Sequence, residues 1–408
     1  MSTFEETPKA NRVHIGFFGR CNAGKSTLIN MLADQPVSLV SDVAGTTTDP
    51  VSKSMEILPL GPVVIIDTAG VDDQSELGKL RIQKTEEVLP KINLAVYVLR
   101  SDQEPTADDI AWLKKIKQHN VPTALVINEV ANTSGAAYLL EHPELSSLAT
   151  VTDFDNASQG KKRLALLDLL GGLKPVGSET DTSLLDGVVQ PGQTIVLVCP
   201  IDSAAPKGRL ILPQVQMLRD ILDHQALAHV VQTEQLAALL DSLKNPPDLV
   251  ITDSQAFEEV SAIVPESIPL TSFSILLARF KGRLKELVAG VHAVKNLHEG
   301  SRVLISEGCT HRRQCDDIGT VKIPKWLEKN GYKNLQMEWT SGGAFPSDVS
   351  QYDLIIHCGA CMLTRREVLR RLDVAMVQGV PMVNYGVLIA SLHGILERAI
   401  SPFVNELK

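Results

Sequence analysis

The chain of 408 residues lacks any uncharged apolar run close to the ~20 residues that a membrane-spanning helix needs. Its first residues, MSTFEETPKANR, include acids and lack the apolar core of a secretory signal. Basic residues are not in excess either, because the net charge is −9, and non-specific nucleic-acid binding needs a basic face. These absences predict a cytoplasmic protein with neither a membrane nor a nucleic acid as its partner.

Cysteine is scarce, with six residues in the chain. In a reducing cytoplasm such a set is not expected to form a disulfide framework. Cys21 and Cys199 stand apart, and each is predicted to be a small buried side chain. The other four lie within 309–361 and are therefore the candidates for chemistry.

The order of apolar runs predicts three α/β units in series, with mainly parallel sheets. A chain of this length is expected to form two to three domains. Short apolar runs alternate with helical patterns, which is typical of parallel sheets. A long amphipathic stretch over 273–296 closes the second unit. The predicted division is a P-loop nucleotide-binding domain at 1–170, a linker at 171–192, a second domain at 193–296 and a third at 297–408.

A complete phosphate-binding motif lies near the beginning of the chain. GRCNAGKST fits the pattern G-x-x-x-x-G-K-S and stands between an apolar run and a helical pattern. In this arrangement backbone N–H groups surround the phosphates, Lys25 reaches the β- and γ-oxygens, and the Ser26 hydroxyl binds Mg²⁺. The predicted nucleotide-binding residues of the loop are Gly19, Asn22, Ala23, Gly24, Lys25, Ser26 and Thr27.

Two further motifs follow in the order expected of a nucleoside triphosphatase. AGTTTD supplies Thr46 and Thr47, and Thr47 is the candidate for contact with Mg²⁺ and the γ-phosphate. DTAG follows the run VVII, so Asp67 is predicted to hold Mg²⁺ through water and Gly70 to contact the γ-phosphate. The predicted catalytic residues are therefore Lys25, Thr47, Asp67 and Gly70.

Two positions depart from the usual GTPase pattern. Val71 follows DTAG where Ras-like enzymes carry a water-orienting glutamine, which predicts slow unaided hydrolysis. NEVA replaces the base-reading pattern N-K-x-D, so Asn128 remains whereas Ala131 stands where an aspartate binds guanine. Guanine selectivity is therefore inferred from the rest of the domain. A non-catalytic module with a decayed nucleotide site is one alternative.

The combination of GRCNAGKST, AGTTTDP and DTAG resembles the TrmE–Era branch of GTPases. The resemblance implies GTP as the nucleotide and Mg²⁺ as the cofactor. Asn22 matches the asparagine that coordinates K⁺ in the cation-activated members of this branch. It therefore implies K⁺-stimulated hydrolysis, in which K⁺ supplies the charge of an arginine finger. The alternative is that Asn22 only shapes the loop.

The last third of the chain carries a C-x-H pair at 309–311 and a C-x-x-C pair at 358–361. Each pair follows an apolar run, and the carboxyl ends of neighbouring parallel strands meet at one edge of a sheet. Three thiolates from two loops suit an iron–sulfur cluster or zinc. A redox C-x-x-C with an unrelated Cys309 also fits the spacing. The residues alone leave these possibilities open.

This cysteine pattern, downstream of such a GTPase, resembles one family, the HydF maturation GTPases of FeFe-hydrogenase. PIDSAAPKGRLILPQVQMLRDILD resembles the dimerisation domain of that family, and HCGACMLTRREVLRR and GVPMVNYGVLIASLHGIL resemble its cluster domain. The resemblance covers the whole chain and implies a 4Fe–4S cluster held by Cys309, Cys358 and Cys361. It also implies an exchangeable fourth position, for which the candidates are His311, Asp316 and Cys315.

The resemblance further implies a carrier function and a set of partners. Such a protein forms a homodimer and carries a di-iron precursor to apo FeFe-hydrogenase. The precursor is assembled with two radical-SAM maturases of the HydE and HydG type. The alternative is a tRNA-modification or ribosome-assembly GTPase with a structural zinc, which the acidic charge disfavours. TRREVLRR, after the second cysteine pair, is either a basic rim for an anionic group or a solvated helix face.

Overall fold

The chain forms two compact units in the computed structural model, Met1–Ser178 and Glu179–Lys408. The structure describes residues 9–33, 51–57, 60–72, 76–128, 139, 142, 145, 148–151, 159–173, 175, 183–201, 210–308 and 317–407. Within these ranges no helix is both long enough and apolar enough to cross a membrane.

The first unit is built on a six-stranded sheet. Its strands are β1 (Val13–Phe18), β2 (Val51–Ile57), β3 (Gly61–Asp67), β4 (Leu94–Arg100), β5 (Thr123–Asn128) and β6 (Ala149–Val151). Their order is β2-β3-β1-β4-β5-β6, and all neighbours are parallel except β2 and β3. The helices are α1 (Lys25–Ala33), α2 (Glu76–Glu86), α3 (Ala107–Gln118) and α4 (Gln159–Gly172), with single turns at Lys9–Asn11 and Leu89–Lys91.

The register of this sheet gathers the ends of its central strands. Phe17 of β1 pairs with Asp67 of β3, and Arg100 of β4 pairs with Asn128 of β5. Strands β1 and β4 are almost wholly buried, as expected of a parallel sheet covered on both faces. The carboxyl ends of β1, β3 and β5 consequently meet at one edge, where such sheets bind ligands.

The second unit contains two four-stranded parallel sheets. The first has the order β10-β9-β7-β8 and the second β12-β11-β13-β14. Their strands are β7 (Thr194–Val198), β8 (Leu227–Val231), β9 (Leu249–Thr252), β10 (Leu270–Ser272), β11 (Arg302–Glu307), β12 (Gln336–Ser341), β13 (Leu354–His357) and β14 (Met382–Asn384).

Helices surround both sheets of this unit. They are α5 (Leu212–Asp223), α6 (Leu236–Ser242), α7 (Phe257–Ile263), α8 (Phe273–Lys281), α9 (Leu284–Ala289), α10 (Val291–Val294), α11 (Ile323–Lys329), α12 (Arg365–Val377), α13 (Tyr385–Leu392), α14 (Leu396–Ile400) and α15 (Val404–Leu407). Single turns lie at Thr233–Gln235, Ser254–Ala256, Ile318–Lys322 and Ser401–Phe403. The amphipathic stretch predicted over 273–296 is not one continuous helix. The chain is extended at Gly282, between α8 and α9, and Gly290 separates α9 from α10.

One hydrophobic core serves both sheets of the second unit. It includes Val196 of β7 and Leu304 of β11. Leu185 and Val189 also belong to it, although the sequence places them in the predicted linker 171–192. The predicted boundary between the second and third domains stays a prediction.

The fold class expected from the sequence is confirmed: a P-loop domain is followed by α/β structure with mainly parallel sheets. Three strands have no clear hydrophobic pattern in the sequence. The edge strand β2 (VSKSMEI) is largely polar, and β6 and β10 have three residues each. Such short or polar segments carry little hydrophobic periodicity.

Candidate functional site

The phosphate loop leaves β1 at Gly19 and enters α1 at Lys25. Gly19 has a φ of +138°, and a Cβ there would lie 2.3 Å from the Val98 carbonyl oxygen, so only glycine fits. The Leu28 amide donates to the Gly24 carbonyl at 3.0 Å, and this bond forms the first turn of α1. The amino-terminal end of α1, a position at which helices bind anions, therefore follows directly from the loop.

Lys25 is held across this loop by backbone carbonyls. Its Nζ donates to the carbonyl of Gly19 at 2.9 Å and to that of Arg20 at 2.8 Å. Burial lowers its pKa, while the charge of Asp67 opposes the shift. A buried ammonium whose hydrogen bonds go to neutral carbonyls gains from a negative phosphate, since an anion offsets its loss of hydration.

Ser26 and Asp67 form the part of the site that suits Mg²⁺. The Ser26 hydroxyl donates to Asp67 Oδ2 at 2.8 Å. The other oxygen, Asp67 Oδ1, is buried and has no hydrogen-bond partner among the described residues. Burial raises the Asp67 pKa, although the Ser26 hydrogen bond and the Lys25 charge act against the shift. A hydroxyl beside an incompletely bonded carboxylate is the ligand set of a hard cation, so these residues fit Mg²⁺.

Gly70 and Asp72 bring the DTAG segment against the phosphate loop. A Cβ at Gly70 would lie 2.2 Å from Cys21 Sγ. The Cys21 amide donates to Asp72 Oδ1 at 2.7 Å. Cys21 is exposed, so its predicted burial is wrong, whereas Cys199 is buried as predicted. Asp72 was missed, because the DTAG motif ends before it.

Two asparagines complete the described part of the site. Asn22 is exposed with a φ of +58°, and its carbonyl accepts from Arg100 Nη1 at 3.3 Å. Asn128 Nδ2 donates to the Ala23 carbonyl at 3.2 Å and so ties the base-side strand to the loop. Thr27 is exposed on the first turn of α1. Thr46, Thr47 and the positions after Asn128 in the NEVA motif lie outside the described residues.

An ion pair with a fully buried carboxylate supports the phosphate loop. Arg20 Nε lies 3.2 Å from Asp109 Oδ2, and the Tyr97 hydroxyl donates to Asp109 Oδ1 at 2.9 Å. Asp109 also caps α3, accepting from the Thr106 amide at 2.8 Å. Burial and the Asp109 charge raise the Tyr97 pKa far above its ordinary value, so the phenol stays a donor. These contacts attach the phosphate loop to the start of α3.

The second candidate site is the loop that follows β13. The Cys358 amide donates to the Ser306 carbonyl at 3.0 Å. Cys358 Sγ accepts the Gly308 amide at 3.0 Å and the Ala360 amide at 3.3 Å. Cys358 and Cys361 are both half-buried and share this loop. Two N–H groups directed at one sulfur favour the thiolate over the thiol.

The two thiols differ from ordinary cysteines in their acidity. Burial raises the Cys358 pKa to about 11, against the effect of the Gly308 and Ala360 amides. Burial also raises the Cys361 pKa, and the charge of Lys281 opposes that shift. In the absence of a metal both side chains are therefore neutral at pH 7. Binding of a metal to them would release protons.

The remaining predicted ligands, Cys309, His311, Cys315 and Asp316, lie outside the described residues. Within the described ranges no three metal-binding side chains come together. Gly308, which precedes Cys309 in sequence, nevertheless bonds to Cys358 Sγ. Strands β11 and β13 are parallel neighbours with Ser306 opposite His357. Two thiols with amide donors, beside the strand end that leads to a third cysteine, fit an iron–sulfur cluster.

A buried polar network lies under the cysteine loop. Arg371 is fully buried, and its Nε donates to Glu367 Oε1 at 2.8 Å. Its other nitrogens reach the Ser306 hydroxyl at 3.2 Å, the Gly342 carbonyl at 2.6 Å and His357 Nε2 at 3.3 Å. Burial, followed by the Arg371 charge, lowers the His357 pKa to about 4. His357 therefore faces the core in its neutral form.

The four arginines of TRREVLRR do not form one basic rim. Arg371 lies in the core, and Arg370 pairs with Glu367 through two 2.8 Å hydrogen bonds. Arg371 therefore does not belong to a solvated helix face, whereas the Arg370 side chain remains partly exposed. Two other polar residues, Asn384 and Lys281, hold the loop from outside the motif and were missed. Asn384 Nδ2 donates to the Cys358 carbonyl at 3.3 Å.

The chain matches known families along most of its length. Residues 14–129 match the 50S ribosome-binding GTPase family. Residues 184–282 match the hydrogen maturase F dimerization domain, and residues 285–402 match the hydrogen maturase F tetramerization domain. The chain belongs to the hydrogen maturase F family. This assignment confirms the resemblance to HydF, with a GTPase domain followed by two domains named for oligomer formation.

Other proteins similar to this hydrogen maturase F chain are GTPases. The tRNA modification GTPase MnmE of Endomicrobium trichonymphae is 34% identical over 29% of this chain and 26% of its own length. GTPase Der of Wolinella succinogenes is 41% identical over 23% of this chain and 20% of its own length. The chain thus spans about a quarter or less of these relatives. A solved structure of Era with MgGDPNP and a segment of 16S ribosomal RNA is 18% identical, with a TM-score of 0.31, over 54% of this chain and 93% of that chain.

Proposed function

We propose that this hydrogen maturase F protein binds and hydrolyses GTP, holds a 4Fe–4S cluster, and delivers a di-iron precursor to apo FeFe-hydrogenase. The observation that carries the cluster assignment is the Cys358–Cys361 loop. It stands in hydrogen-bond contact with Gly308, directly before Cys309. The family assignment and the phosphate loop support the GTPase part.

Nucleotide binding rests on Lys25, Ser26 and Asp67. The Lys25 ammonium already lies across the phosphate loop, and it would exchange its two carbonyl partners for phosphate oxygens. Ser26 and Asp67 would hold Mg²⁺, which neutralises charge on the β- and γ-phosphates. Thr46 and Thr47 are proposed to approach from the switch loop.

Hydrolysis is the attack of water on the γ-phosphorus, with cleavage of its bond to the β–γ bridging oxygen. Lys25 stabilises charge on the transferred phosphoryl group, and Gly70 lets the DTAG backbone approach it. Val71 is buried and carries no polar group to orient the water. We therefore expect slow hydrolysis, stimulated by K⁺ at the exposed Asn22.

Cluster binding rests on Cys358 and Cys361, with Cys309 as the third ligand. When bound, the cluster would supply an iron with an exchangeable position at which the precursor can attach. His311, Asp316 and Cys315 are the proposed occupants of that position. The Gly308 and Ala360 amides would stabilise the thiolate of Cys358, and the Arg371 network would keep the loop in place.

Delivery requires partners and an assembly. The dimerization and tetramerization families favour a homodimer that can associate further. We propose that the protein receives the precursor from two radical-SAM maturases of the HydE and HydG type and passes it to the apo-hydrogenase in the cytoplasm. The zinc-containing tRNA-modification GTPase is not favoured, since the similarity to two such proteins covers only 29% and 39% of the chain.

The test is anaerobic reconstitution of the full chain, with iron and sulfide analysis and electron paramagnetic resonance of the reduced protein. We expect about four irons and four sulfides per chain, and a 4Fe–4S signal that Cys358→Ser abolishes. Cys199→Ser is the matched control, because Cys199 is buried directly after β7 and its amide bonds to the Val231 carbonyl of β8. Stoichiometric zinc without iron, even after reconstitution, would contradict the proposal.

A second measurement addresses delivery itself. The reconstituted protein, loaded with precursor by the two maturases, should activate apo-hydrogenase, and the Cys358→Ser variant should not. Hydrolysis of GTP and ATP in K⁺ and in Na⁺ would show whether guanine selectivity survives the NEVA motif. Equal rates with both nucleotides would remove the guanine assignment and leave the cluster assignment intact.

A further inference from the structure

Lys281 lies beneath the cysteine loop, although it belongs to a different family domain. It is the last residue of α8, in the segment that matches the dimerization domain, whereas both cysteines lie in the tetramerization match. Its side chain is fully buried, with 0% exposure. A buried lysine is uncommon unless it is paired or has a function, so its contacts call for an explanation.

Three hydrogen bonds of Lys281 go to the loop that carries the thiols. Lys281 Nζ donates to the carbonyls of Leu363 at 2.8 Å, Ala360 at 3.3 Å and Cys361 at 3.4 Å. An ammonium has three donors, and these carbonyls match that number. The position at the C-terminal end of α8 adds the favourable field of the helix dipole. The backbone carbonyls of the cysteine loop therefore hold the Lys281 ammonium in a fixed position.

The loop has a backbone conformation that needs such support. Ala360 has a φ of +57°, in the left-handed region that residues with a Cβ rarely adopt. Its carbonyl accepts both Lys281 and the Leu363 amide, which lies at 3.0 Å. Ala360 is buried, so solvent does not replace a lost partner. A contact made from another domain therefore stabilises an otherwise unfavourable turn.

We propose that Lys281 is the positioning residue of the cysteine loop: it holds Ala360, Cys361 and Leu363 in the cluster-binding arrangement and supplies a fixed positive charge to the bound cluster. The charge favours the more reduced, more negative cluster. The first part concerns the metal-free chain. The second part rests on the proposed cluster function.

Three variants of the full chain separate these effects. Lys281→Met keeps most of the volume and removes the charge and the donors. Lys281→Arg keeps the charge. Arg279→Met is the matched control, because Arg279 lies on the same helix but bonds to Glu406 and to the carbonyls of Leu184 and Asp186. All three alter a cation of α8, and two of them alter the loop contact.

The first measurement is amide hydrogen exchange of the metal-free protein. In Lys281→Met we expect exchange over Ala360 and Leu363 to rise by about tenfold or more, the size expected from losing hydrogen bonds to a charged group. Exchange over the strands of both sheets and in Arg279→Met should stay as in the parent. Unchanged loop exchange in Lys281→Met overturns the positioning role, whatever the cluster content.

The second measurement is the midpoint reduction potential of the reconstituted cluster. Lys281→Met should shift the potential to a more negative value. Lys281→Arg keeps the charge, so its potential should lie close to that of the parent. A merely structural role would alter cluster content but not the potential. Equal potentials in Lys281→Met and the parent overturn the electrostatic role. Failure of the parent to bind iron contradicts the proposed function instead, and the exchange result still decides the positioning role.

Discussion

The phosphate loop and the cysteine loop both follow a buried parallel strand, but their supports differ. At the phosphate loop the key cation, Lys25, is part of the motif and bonds to carbonyls five and six residues away. At the cysteine loop the cations, Lys281 and Arg371, come from other helices and bond over up to 82 residues of sequence. The key cation of the first site is thus local in sequence, whereas the cations of the second depend on the packing of a whole unit.

This difference predicts how each site responds to substitution. A change in the phosphate loop should remove function and leave the fold largely intact. A change beneath the cysteine loop should affect stability as well, because its polar groups are buried and mutually bonded. The following predictions test the contrast from its largest expected effect to its smallest.

Arg371→Met should destabilise the second unit by about 3–5 kcal/mol, because it leaves the Glu367 carboxylate buried with only Arg370 as an arginine partner. Denaturant unfolding followed by Trp326 and Trp339 fluorescence, in a Trp112→Phe background, reports this unit. Adding Glu367→Gln should recover part of the loss. A destabilisation below about 1 kcal/mol would show that the network is not structural.

Lys25→Ala should slow GTP hydrolysis by about 10²–10³-fold, the usual effect of removing one group that stabilises transition-state charge. The fluorescence-detected unfolding of the second unit should be unchanged. Lys115→Ala is the control, since Lys115 lies on exposed α3 surface and pairs with Glu86. Hydrolysis at the parental rate in Lys25→Ala would refute the assignment of the phosphate site.

The acid stability of the second unit should depend on Glu367. Burial disfavours its charge, but the hydrogen bonds and charges of Arg370 and Arg371 outweigh burial, and the net Glu367 pKa is lowered. The stabilisation is therefore present above the unfolded-state pKa and is lost as pH falls through the folded-state value. Glu367→Gln should be less stable at pH 7 and show a shallower loss below about pH 4.3. Identical pH profiles would contradict this role.

Asp72→Asn should strengthen GTP binding by about fivefold, corresponding to about 1 kcal/mol. Asp72 places a carboxylate on the Cys21 amide, inside the loop that receives phosphates. Removing its charge reduces repulsion of the nucleotide. Asp102→Asn is the control, because the Asp102 carboxylate accepts two hydrogen bonds from Arg100. Weaker GTP binding in Asp72→Asn would contradict this prediction. It would show instead that the Asp72 carboxylate stabilises the phosphate loop in its nucleotide-bound conformation.

The phosphate site was largely predictable, because each of its motifs is short and its geometry is made by backbone. Gly19, Lys25, Ser26, Asp67 and Gly70 lie together as expected. Cys21 was the error: isolated free cysteines are usually buried, but the loop turns this one toward solvent. Asp72 was missed because its role depends on the turn after DTAG.

For the cysteine site the sequence predicts candidate ligands and nothing of their surroundings. Lys281 ends the apolar segment FSILLARFK, and nothing in that segment indicates that its ammonium reaches a loop 80 residues later. Arg371 lies in a charged run that suggests surface, yet it is wholly buried. Its burial becomes possible because Glu367, Ser306, Gly342 and His357 supply partners.

The sequence by itself determined the α/β class and the presence of a GTPase domain, and it located the phosphate-loop motif and the cysteine pairs, because these depend on hydrophobic periodicity and on short spacings. Only the tertiary structure decided which charged residues support the cysteine loop. The physical reason is that a buried charge is tolerated only where several distant groups meet it at once. That meeting depends on packing, and no local pattern of residues specifies it.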